Sequence, residues 1–389
     1  MIECVATLEK RSLLGPNIDL IGNIGSRFGL QTPALIVDLS RLERNIAKMA
    51  GHCRVSGIAL RPHTKTHKSV DIARLQIAAG ANGVCTATLG EAEIMADGGI
   101  DDILITTPAV GTLKIARLIN LVRRAPKIMI VADSLKNVDD LSSAARSVDV
   151  SLQVVVALDV GLHRVGAATP GEAISLARRI ADSPALTFQG VHAYAGMIQH
   201  ILDFSERNRR ASEVHDILKG LVDRLHEIAL PPGFVSGGGT GTFNIDSGSG
   251  IYSELQAGSY IFCDVEYDSI DFAPDDPRPF EPSLFVRTTV VSANHSGFVT
   301  TDAGTKRFSM GGALPRVSSG APLDSVYGFL GDEHGRLSFL GGANAVSTGQ
   351  SLELRPPHCD PTINLYNVLH VVRDDMLVDI WPVSARGAI

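Results

Sequence analysis

The sequence predicts an α/β protein built from a (β/α)8 TIM barrel followed by an antiparallel β domain. From Thr32 onward, short apolar and β-branched runs alternate with helix-like segments, and repeated βα units of this length form a parallel sheet. After Tyr260 the sequence changes to short alternating strands separated by Gly, Asp and Asn. This change indicates a second domain made mostly of strands.

Eight apolar runs make up the predicted parallel sheet. They are ALIVD (34–38), GIALRP (57–62), GVCTAT (83–88), DILIT (102–106), IMIVAD (128–133), LQVVVALD (152–159), FQGVHAY (188–194) and FVSGGG (234–239). A nearly continuous apolar strand is typical of a sheet covered on both faces. Eight units favour a closed barrel, although the count alone leaves an open doubly wound sheet as the alternative.

The predicted domain boundaries follow from composition. Residues 30–265 should form the barrel, and residues 1–29 together with 266–389 should form the β domain. The segment 271–282 is rich in proline and acidic residues, which is typical of a linker. Near the C-terminus, Asp374 and Asp375 separate two apolar runs and predict a β-hairpin.

Composition narrows the class of function. The 389-residue chain carries a net charge of −7, so no basic surface is expected to bind nucleic acid. No apolar stretch approaches the roughly 20 residues that cross a bilayer, and residues 1–14 do not resemble a signal peptide. Five scattered cysteines indicate reduced thiols. We expect a cytoplasmic protein that acts on a small molecule.

A basic segment, RPHTKTHK at residues 61–68, directly follows the second predicted strand. Active sites of β/α barrels lie at this end of the strands. A lysine nucleophile needs a depressed pKa, which neighbouring cations can supply, so Lys65 is a candidate Schiff-base lysine. The alternative is a solvated basic loop, because lysines are mostly exposed.

The glycine run SGGGTGT at residues 236–242 follows the eighth predicted strand. Without side chains, backbone N–H groups can surround a phosphate, and phosphate sites in these barrels recur after strands seven and eight. The candidate ligands are Ser236, Gly238, Gly239 and Thr240, and a turn without ligand is the alternative. The run is not a GxGxxG motif, so a nicotinamide cofactor is not indicated. Phosphate plus a distant lysine suggests pyridoxal 5′-phosphate.

Two further side chains are predicted at the same end of the barrel. Arg164 lies in the glycine-bracketed run DVGLHRVG after the sixth predicted strand, where its planar guanidinium can bond an anionic ring oxygen. Tyr194 ends the seventh predicted strand and can pack against a ring. The alternative for Arg164 is an ordinary surface arginine in a turn, and the alternative for Tyr194 is an ordinary tyrosine at the barrel rim.

The sequence PPHCDPT, residues 356–362, places an imidazole and a carboxylate two positions apart. On an extended segment, His358 and Asp360 would share one side and reach one divalent cation. Two protein ligands would leave positions for water or substrate, as in a catalytic site with Mn²⁺, Mg²⁺ or Zn²⁺. A chance His-x-Asp pair is the alternative.

Taken together, these segments resemble the D-threonine aldolase and D-serine dehydratase family, whose barrel is like the alanine racemase N-terminal domain. The matching segments cover nearly the whole chain and include RPHTKTHK, DVGLHRVG, GVHAYAGMIQH, FVSGGGTGT, SGIYSELQAGSY, DAGTK, DEHG, PPHCDPT and WPVSARG. The resemblance implies pyridoxal phosphate on Lys65, Arg164 near its ring oxygen, and a metal at His358 and Asp360. It also implies that His200 is the base for the substrate hydroxyl. Thr86-Ala87-Thr88 departs from the family, in which many members carry glutamine and lysine.

The resemblance implies a metal-assisted lyase that cleaves β-hydroxy D-amino acids to glycine and an aldehyde, and a homodimer. In this family the second metal ligand is either an acid or a thiolate. The resemblance to the aldolases includes the acid, here Asp360, so aldolase is placed before dehydratase. D-Serine or 3-hydroxy-D-aspartate dehydratase or aldolase activity is the alternative. A non-catalytic carrier of pyridoxal phosphate and a racemase are further readings, but neither needs a metal that binds a hydroxyl group.

Overall fold

Eight short strands form one parallel sheet in the computed structural model, which describes residues 13–389. The first strand of the chain, β1 (Ala34–Asp38), lies outside this sheet. The members are β2 (Ala59–Leu60), β3 (Val84–Thr86), β4 (Ile103–Ile105), β5 (Met129–Ala132), β6 (Leu152–Ala157), β7 (Leu186–Ala193), β8 (Phe234–Gly237) and β9 (Glu254–Leu255). Their order is β2-β9-β8-β7-β6-β5-β4-β3, so from β3 onward each strand lies beside its successor in the chain and β2 lies beside β9.

Backbone contacts between β2 and β3 complete the ring. The Asn82 N–H donates to the Leu60 carbonyl at 2.9 Å, and the Cys85 N–H donates to the Pro62 carbonyl at 2.9 Å. His63 and Cys85 form an isolated parallel bridge. The predicted TIM-like barrel is therefore confirmed, and the carboxyl ends of its strands meet on one side.

The longer helices of the chain pack around the barrel through amphipathic sequences, and shorter helices follow them. They include α1 (Leu39–Ser56), α2 (Val70–Ala78), α3 (Leu89–Asp97), α4 (Thr112–Arg124), α5 (Leu135–Ser147), α6 (Pro170–Ala181), α7 (Phe204–Glu227) and the short α8 (Phe243–Asp246), α9 (Val265–Asp268) and α10 (Cys359–Ile363). In α4 the buried residues Ile115, Leu118, Ile119 and Val122 recur every three or four positions and share one face. No described helix is long and apolar enough to cross a membrane.

The second sheet contains the remaining strands, most of them antiparallel to their neighbours. They are β10 (Leu284–Ser292), β11 (Phe298–Thr301), β12 (Arg316–Ser319), β13 (Val326–Phe329), β14 (Gly335–Ser338), β15 (Ser351–Arg355), β16 (Val368–Arg373) and β17 (Met376–Pro382). The order is β11-β14-β13-β12-β15-β10-β1-β16-β17, and β11 also pairs with β10. A small antiparallel barrel is therefore closed by six strands, β10, β11, β14, β13, β12 and β15. The predicted hairpin is β16–β17, with Asp374 in the left-handed region at φ 55°.

The prediction that ALIVD is the first barrel strand is wrong. β1 pairs antiparallel with β10 and parallel with β16, which places it in the second sheet. All its residues are buried. A strand covered on both faces has a continuous apolar sequence in either sheet, so the sequence does not distinguish the two positions. The missing barrel strand is β9, whose two residues are too few for a periodicity. The glycine run thus follows the seventh barrel strand, and the boundaries 30–265 and 266–389 stay a prediction.

The first twelve residues lie outside the described part of the chain. Most of the segment compared with a signal peptide, and Cys4, fall there. The other four cysteines, Cys53, Cys85, Cys263 and Cys359, are buried and free.

A buried charge cluster holds the N-terminal segment against the second sheet. Glu353 on β15 lies opposite Arg287 on β10 and pairs with it at 3.3 Å, while Arg27 donates to the other carboxylate oxygen at 2.7 Å. The Glu353 side chain is only 3% exposed. Burial lowers the pKa of Arg287 despite this pairing. Arg27 also pairs with Asp38 at 3.3 Å, whereas Glu353 is the only carboxylate that pairs with Arg287 within the described residues, so loss of Glu353 would leave the buried Arg287 charge unpaired.

We therefore expect Glu353→Ala to lower the free energy of unfolding by about 3–5 kcal/mol, since it leaves the buried Arg287 without its carboxylate partner. Urea denaturation would measure this change. The matched control is Glu281→Ala, which breaks an exposed pair with Arg44 and should cost less than about 1 kcal/mol. Equal stability of the two variants would contradict a structural role for the buried cluster.

Candidate active site

A cavity of about 450 Å³ opens where α10 of the second domain meets the carboxyl ends of the barrel strands. Its volume suits a small-molecule site. The side chains that line it are mostly polar or titratable: His63, Lys65, Thr66, Thr106, Arg164, His192, Tyr194, His200, Gln256, Ser259, Tyr267, His358 and Asp360. Residues from both domains therefore form one site.

Lys65 reaches this cavity from a 3-10 turn, Thr64–Thr66, that follows β2. The ring nitrogen Nδ1 of His63 accepts a hydrogen bond from the Lys65 N–H at 3.4 Å and caps the turn. Lys65 Nζ lies 3.5 Å from Asp360 Oδ2. The lysine thus faces a carboxylate that belongs to the other domain.

The expectation that neighbouring cations depress the pKa of Lys65 is wrong. Burial lowers this pKa, but the Asp360 carboxylate and other neighbours raise it more, so it lies above its ordinary value. Arg164 lowers the pKa only in part. Lys68 of the same motif does not act on Lys65 because it pairs with Glu91 at 2.5 Å, away from the cavity wall.

Tyr194 and Arg164 lie on the same side of the cavity as Lys65. The centre of the Tyr194 ring is 6.0 Å from Lys65 Nζ and 6.0 Å from Arg164 Cζ. Arg164 makes no ion pair with any residue between 13 and 389. Its guanidinium is therefore available to an anionic group in the cavity.

The loop that carries Arg164 is held by Asp159. The Asp159 Oδ1 accepts hydrogen bonds from the Gly161 N–H at 2.9 Å and the His163 N–H at 3.1 Å. These bonds support His163 in the left-handed region at φ 55°. At Gly166 a Cβ would lie 2.4 Å from the Asp159 nitrogen, so the loop can close only with glycine there.

The glycine run contributes backbone to the cavity wall. Gly239 and Thr240 line the cavity, whereas Ser236 and Gly238 do not. Ser236 accepts a hydrogen bond from Gln256 Nε2 at 2.8 Å and so lies behind the wall. A Cβ at Gly239 would lie 2.4 Å from Gln199 Oε1, so any side chain there would displace the buried Gln199. A wall without side chains fits the phosphate of pyridoxal phosphate.

The prediction that His358 and Asp360 lie on one extended segment is wrong. His358 is extended, at φ −134° and ψ 126°, but it caps α10, and Asp360 is the second residue of that helix. A helix turn rather than β alternation therefore brings the two side chains to the same cavity. The proline at 361 is compatible with the first helical turn, where its missing N–H has no partner to lose.

The surroundings of His358 fit a divalent cation. Its buried Nδ1 makes no hydrogen bond within the described residues, yet it lies 3.4 Å from Asp264 Oδ2 and 3.3 Å from Glu266 Oε2. Carboxylates beside one ring nitrogen leave the other as a ligand. Between residues 13 and 389, no group of three or more His, Cys, Asp or Glu side chains could hold a metal. A cation here would have His358 and Asp360 as its protein ligands.

The charges at this end of the cavity oppose the effect of burial. Burial raises the pKa of Asp360, but Lys65 and His358 outweigh it, so the pKa lies below its usual value. Burial likewise lowers the pKa of His358, but Asp264 and Asp360 reverse the shift and raise it. Opposite charges therefore keep Asp360 ionised despite its position.

His200 lies at the edge of the same cavity, after the 3-10 turn Gly196–Ile198. Its ring is 4.5 Å from the Tyr267 ring and 6.3 Å from the His358 ring. Burial lowers the pKa of His200 although Asp264 acts in the opposite direction. A neutral imidazole this close to His358 is able to accept a proton.

Several residues of the site were not predicted. His63 and His192 line the cavity and are kept neutral, since burial lowers the pKa of His63 well below its usual value and that of His192 to about 4. His192 could have been found from its position two residues before Tyr194, because alternate residues of a strand share a face. Gln256 and Ser259 follow β9, so they were missed together with that strand.

The departure at Thr86-Ala87-Thr88 places a small side chain in the wall. Ala87 lines the cavity, and its N–H donates to Glu91 at 2.7 Å. Thr88 caps α3 by accepting from the Glu91 N–H at 3.2 Å. This corner therefore has a structural role and offers no polar side chain at position 87.

Comparisons with known proteins agree with this architecture. The family model described as alanine racemase, N-terminal domain, matches residues 37–265, and the putative serine dehydratase domain matches residues 283–372. The chain is 40% identical to a 3-hydroxy-D-aspartate aldolase of Paracoccus denitrificans (strain Pd 1222), over 92% of each chain. It is 38% identical to a D-threonine aldolase of Arthrobacter sp., over 92% of this chain and 93% of that protein.

The structure is similar to the crystal structure of D-threonine aldolase from Filomicrobium marinum. The TM-score is 0.89 and the identity 36%, with 92% of this chain and 96% of that chain covered. The likeness therefore includes both the barrel and the second domain.

We expect Gly239→Ala to damage this site, because the added methyl group displaces Gln199, which is 1% exposed and donates to Thr242 Oγ1 at 3.0 Å. The cost should be about 1–3 kcal/mol of stability, together with weaker binding of pyridoxal phosphate in a spectroscopic titration. In the control Gly220→Ala, the methyl meets nothing within 4 Å on α7 and should stabilise by about 0.5–1 kcal/mol. Unchanged cofactor affinity in Gly239→Ala would argue against a phosphate site at the backbone of Gly239 and Thr240.

Proposed function

Because this chain belongs to the family of alanine racemase-like barrels that includes the D-threonine and 3-hydroxy-D-aspartate aldolases, we propose that it is a pyridoxal-phosphate lyase. Its reaction is the retro-aldol cleavage of β-hydroxy D-amino acids of the D-threonine type, which yields glycine and an aldehyde. One observation carries the proposal: Lys65 Nζ lies in a cavity that the glycine run at Gly239 also lines, 3.5 Å from Asp360 of the other domain.

Each part of the cofactor has a counterpart in the cavity. Lys65 is proposed to hold pyridoxal phosphate covalently, and Arg164 and Tyr194 to contact its ring. Gly239 and Thr240 line the cavity and are the proposed phosphate contacts, with Ser236 and Gly238 supporting them from behind. Bound pyridoxal phosphate supplies an electron-accepting ring next to Cα. The remaining steps then depend on proton transfer by the protein.

His358 and Asp360 are proposed to hold one divalent cation, such as Mn²⁺ or Mg²⁺. A cation with open positions acidifies a hydroxyl group that binds to it. The donor set, one imidazole and one carboxylate, and the two carboxylates beside His358 Nδ1 support this proposal. They do not distinguish one divalent ion from another.

His200 is proposed to remove the proton from the β-hydroxyl group. Its ring lies 6.3 Å from that of His358, so a substrate oxygen beside His358 would also be within reach of His200. Burial keeps its pKa low, which leaves the imidazole neutral near pH 7. Such a general base contributes about 10²–10⁴-fold to the rate.

We also propose a cytoplasmic homodimer. Val110, Leu113 and Leu135 are 63%, 83% and 50% exposed, and they lie near the start of α4 and α5, the barrel end that holds the cavity. An apolar surface at this place suits a second copy of the chain. Light scattering would test the dimer, and an active monomer would exclude it.

Lys65 should be the lysine that holds the cofactor, because Lys68 is engaged with Glu91. Borohydride reduction of the purified protein, followed by peptide mapping, should find the cofactor on Lys65. Lys65→Ala should lose the visible absorbance of bound cofactor, whereas Lys68→Ala should keep it. A label on Lys68 would contradict the assignment.

Removal of the cation should stop cleavage but leave the cofactor in place, because the proposed metal ligands, His358 and Asp360, are not the proposed phosphate contacts, Gly239 and Thr240. Chelator should abolish glycine formation from D-threonine, and Mn²⁺ should restore it. Asp360→Ala should lower kcat by on the order of 100-fold or more, since the cation contributes several kcal/mol.

The control for this experiment is Asp332→Ala, which removes a carboxylate that is 72% exposed and should retain activity. Near-normal cleavage by Asp360→Ala after dialysis against chelator would contradict the metal site. Formation of a keto acid and ammonia instead of glycine and aldehyde would show a dehydratase.

A further inference from the structure

Asp264 is a carboxylate buried behind the cavity wall, and the proposed reaction gives it no role so far. Its side chain is 0% exposed, and it does not line the cavity. A buried carboxylate is costly unless its oxygens are satisfied. The groups that face it therefore indicate what it does.

The contacts of Asp264 join two segments of the chain. Its Oδ1 accepts from the Tyr267 N–H at 3.0 Å at the start of α9, and its Oδ2 accepts from the Cys359 N–H at 2.8 Å at the start of α10. The same Oδ2 lies 3.4 Å from His358 Nδ1. One carboxylate oxygen thus contacts the ring of His358 and the peptide nitrogen between His358 and Asp360.

Backbone hydrogen bonds hold the two segments in register. The Val265 N–H donates to the Pro356 carbonyl and the Glu266 N–H donates to the Pro357 carbonyl, each at 3.2 Å. The His358 N–H donates to Ser309 Oγ at 3.2 Å. Because the backbone is held on both sides of Asp264, this carboxylate cannot turn away from His358 without breaking other bonds.

Glu266 is the other carboxylate beside His358, at 3.3 Å from Nδ1. Its side chain is 25% exposed, and it makes no contact with the Cys359 N–H. A half-buried glutamate can rotate toward solvent, whereas the enclosed Asp264 keeps one position. Asp264 is therefore the better candidate to orient the ring.

We infer that Asp264 is the positioning residue of the metal pair: it holds His358 with Nε2 toward the cavity and sets the spacing between His358 and Asp360. This inference rests on the proposed function, since it requires that these two residues bind a cation. A carboxylate behind a ligating imidazole also makes that imidazole a better donor.

The test compares the Mn²⁺ affinity of the cofactor-loaded protein with that of its variants by calorimetric titration. Asp264→Asn should weaken Mn²⁺ binding by about 10- to 100-fold while cofactor content stays at the wild-type level. Saturating Mn²⁺ should restore most of kcat, because the ligands themselves remain. Glu266→Gln should show a smaller loss of affinity.

The matched control is Asp268→Asn, in the same short helix. Asp268 pairs with Arg355 at 2.6 Å instead of facing His358, so this variant should bind Mn²⁺ as the wild type does. Wild-type affinity in a folded Asp264→Asn protein would overturn the inference and leave the proposed function intact. A wild-type protein that binds no Mn²⁺ and cleaves D-threonine in chelator would overturn the inference and the proposed metal site but not the lyase activity, whereas a protein that binds Mn²⁺ and cleaves no β-hydroxy D-amino acid would overturn the proposed function.

A measurement on the wild-type protein covers the case in which Asp264→Asn does not fold. Nitrogen-15 NMR of histidine-labelled protein, with His358→Gln to assign the signal, reports the ring tautomer in the presence of Mg²⁺. The inference requires the proton on Nδ1, facing Asp264, with Nε2 unprotonated. A proton on Nε2 would overturn it.

Discussion

The contact between Lys65 Nζ and Asp360 Oδ2, at 3.5 Å, joins the two domains at the candidate active site. Lys65 belongs to the barrel and Asp360 to the second domain, so this ion pair forms only when the domains are docked. Asp360 is the only ion-pair partner of Lys65 between residues 13 and 389, and an unpaired charge in a mostly enclosed cavity is costly. The arrangement of the cavity depends on this contact.

The titratable side chains of the cavity differ in how charge and burial act on them. His63 and His192 lie deep in the barrel, where burial lowers their pKa values and keeps them neutral. Asp360, in contrast, stays ionised because Lys65 and His358 compensate its burial. Neutral imidazoles suit contact with a planar cofactor ring, and an ionised carboxylate suits a cation. Two separate tasks are thus supported by one cavity of about 450 Å³.

The architecture explains why both domains are needed. The barrel supplies parallel strands whose carboxyl ends converge, so that Lys65, Arg164 and Tyr194 meet although about 130 residues separate the first from the last along the chain. The second domain supplies α10, and β1 ties the start of the barrel region to β10 and β16. A strand shared in this way restricts how far the domains can separate.

Local sequence was sufficient to predict the fold class, the hairpin around Asp374 and the candidate role of Lys65, because periodicity, turn residues and motif composition act over a few positions. Tertiary structure decided which sheet contains β1, where the two-residue β9 lies, and that a helix turn presents Asp360. It also decided the charge state of Lys65 and the contact of Asp264 with His358. These features depend on partners far apart in the chain, and the energy of pairing, burial or charge compensation is absent from any single segment until the chain folds.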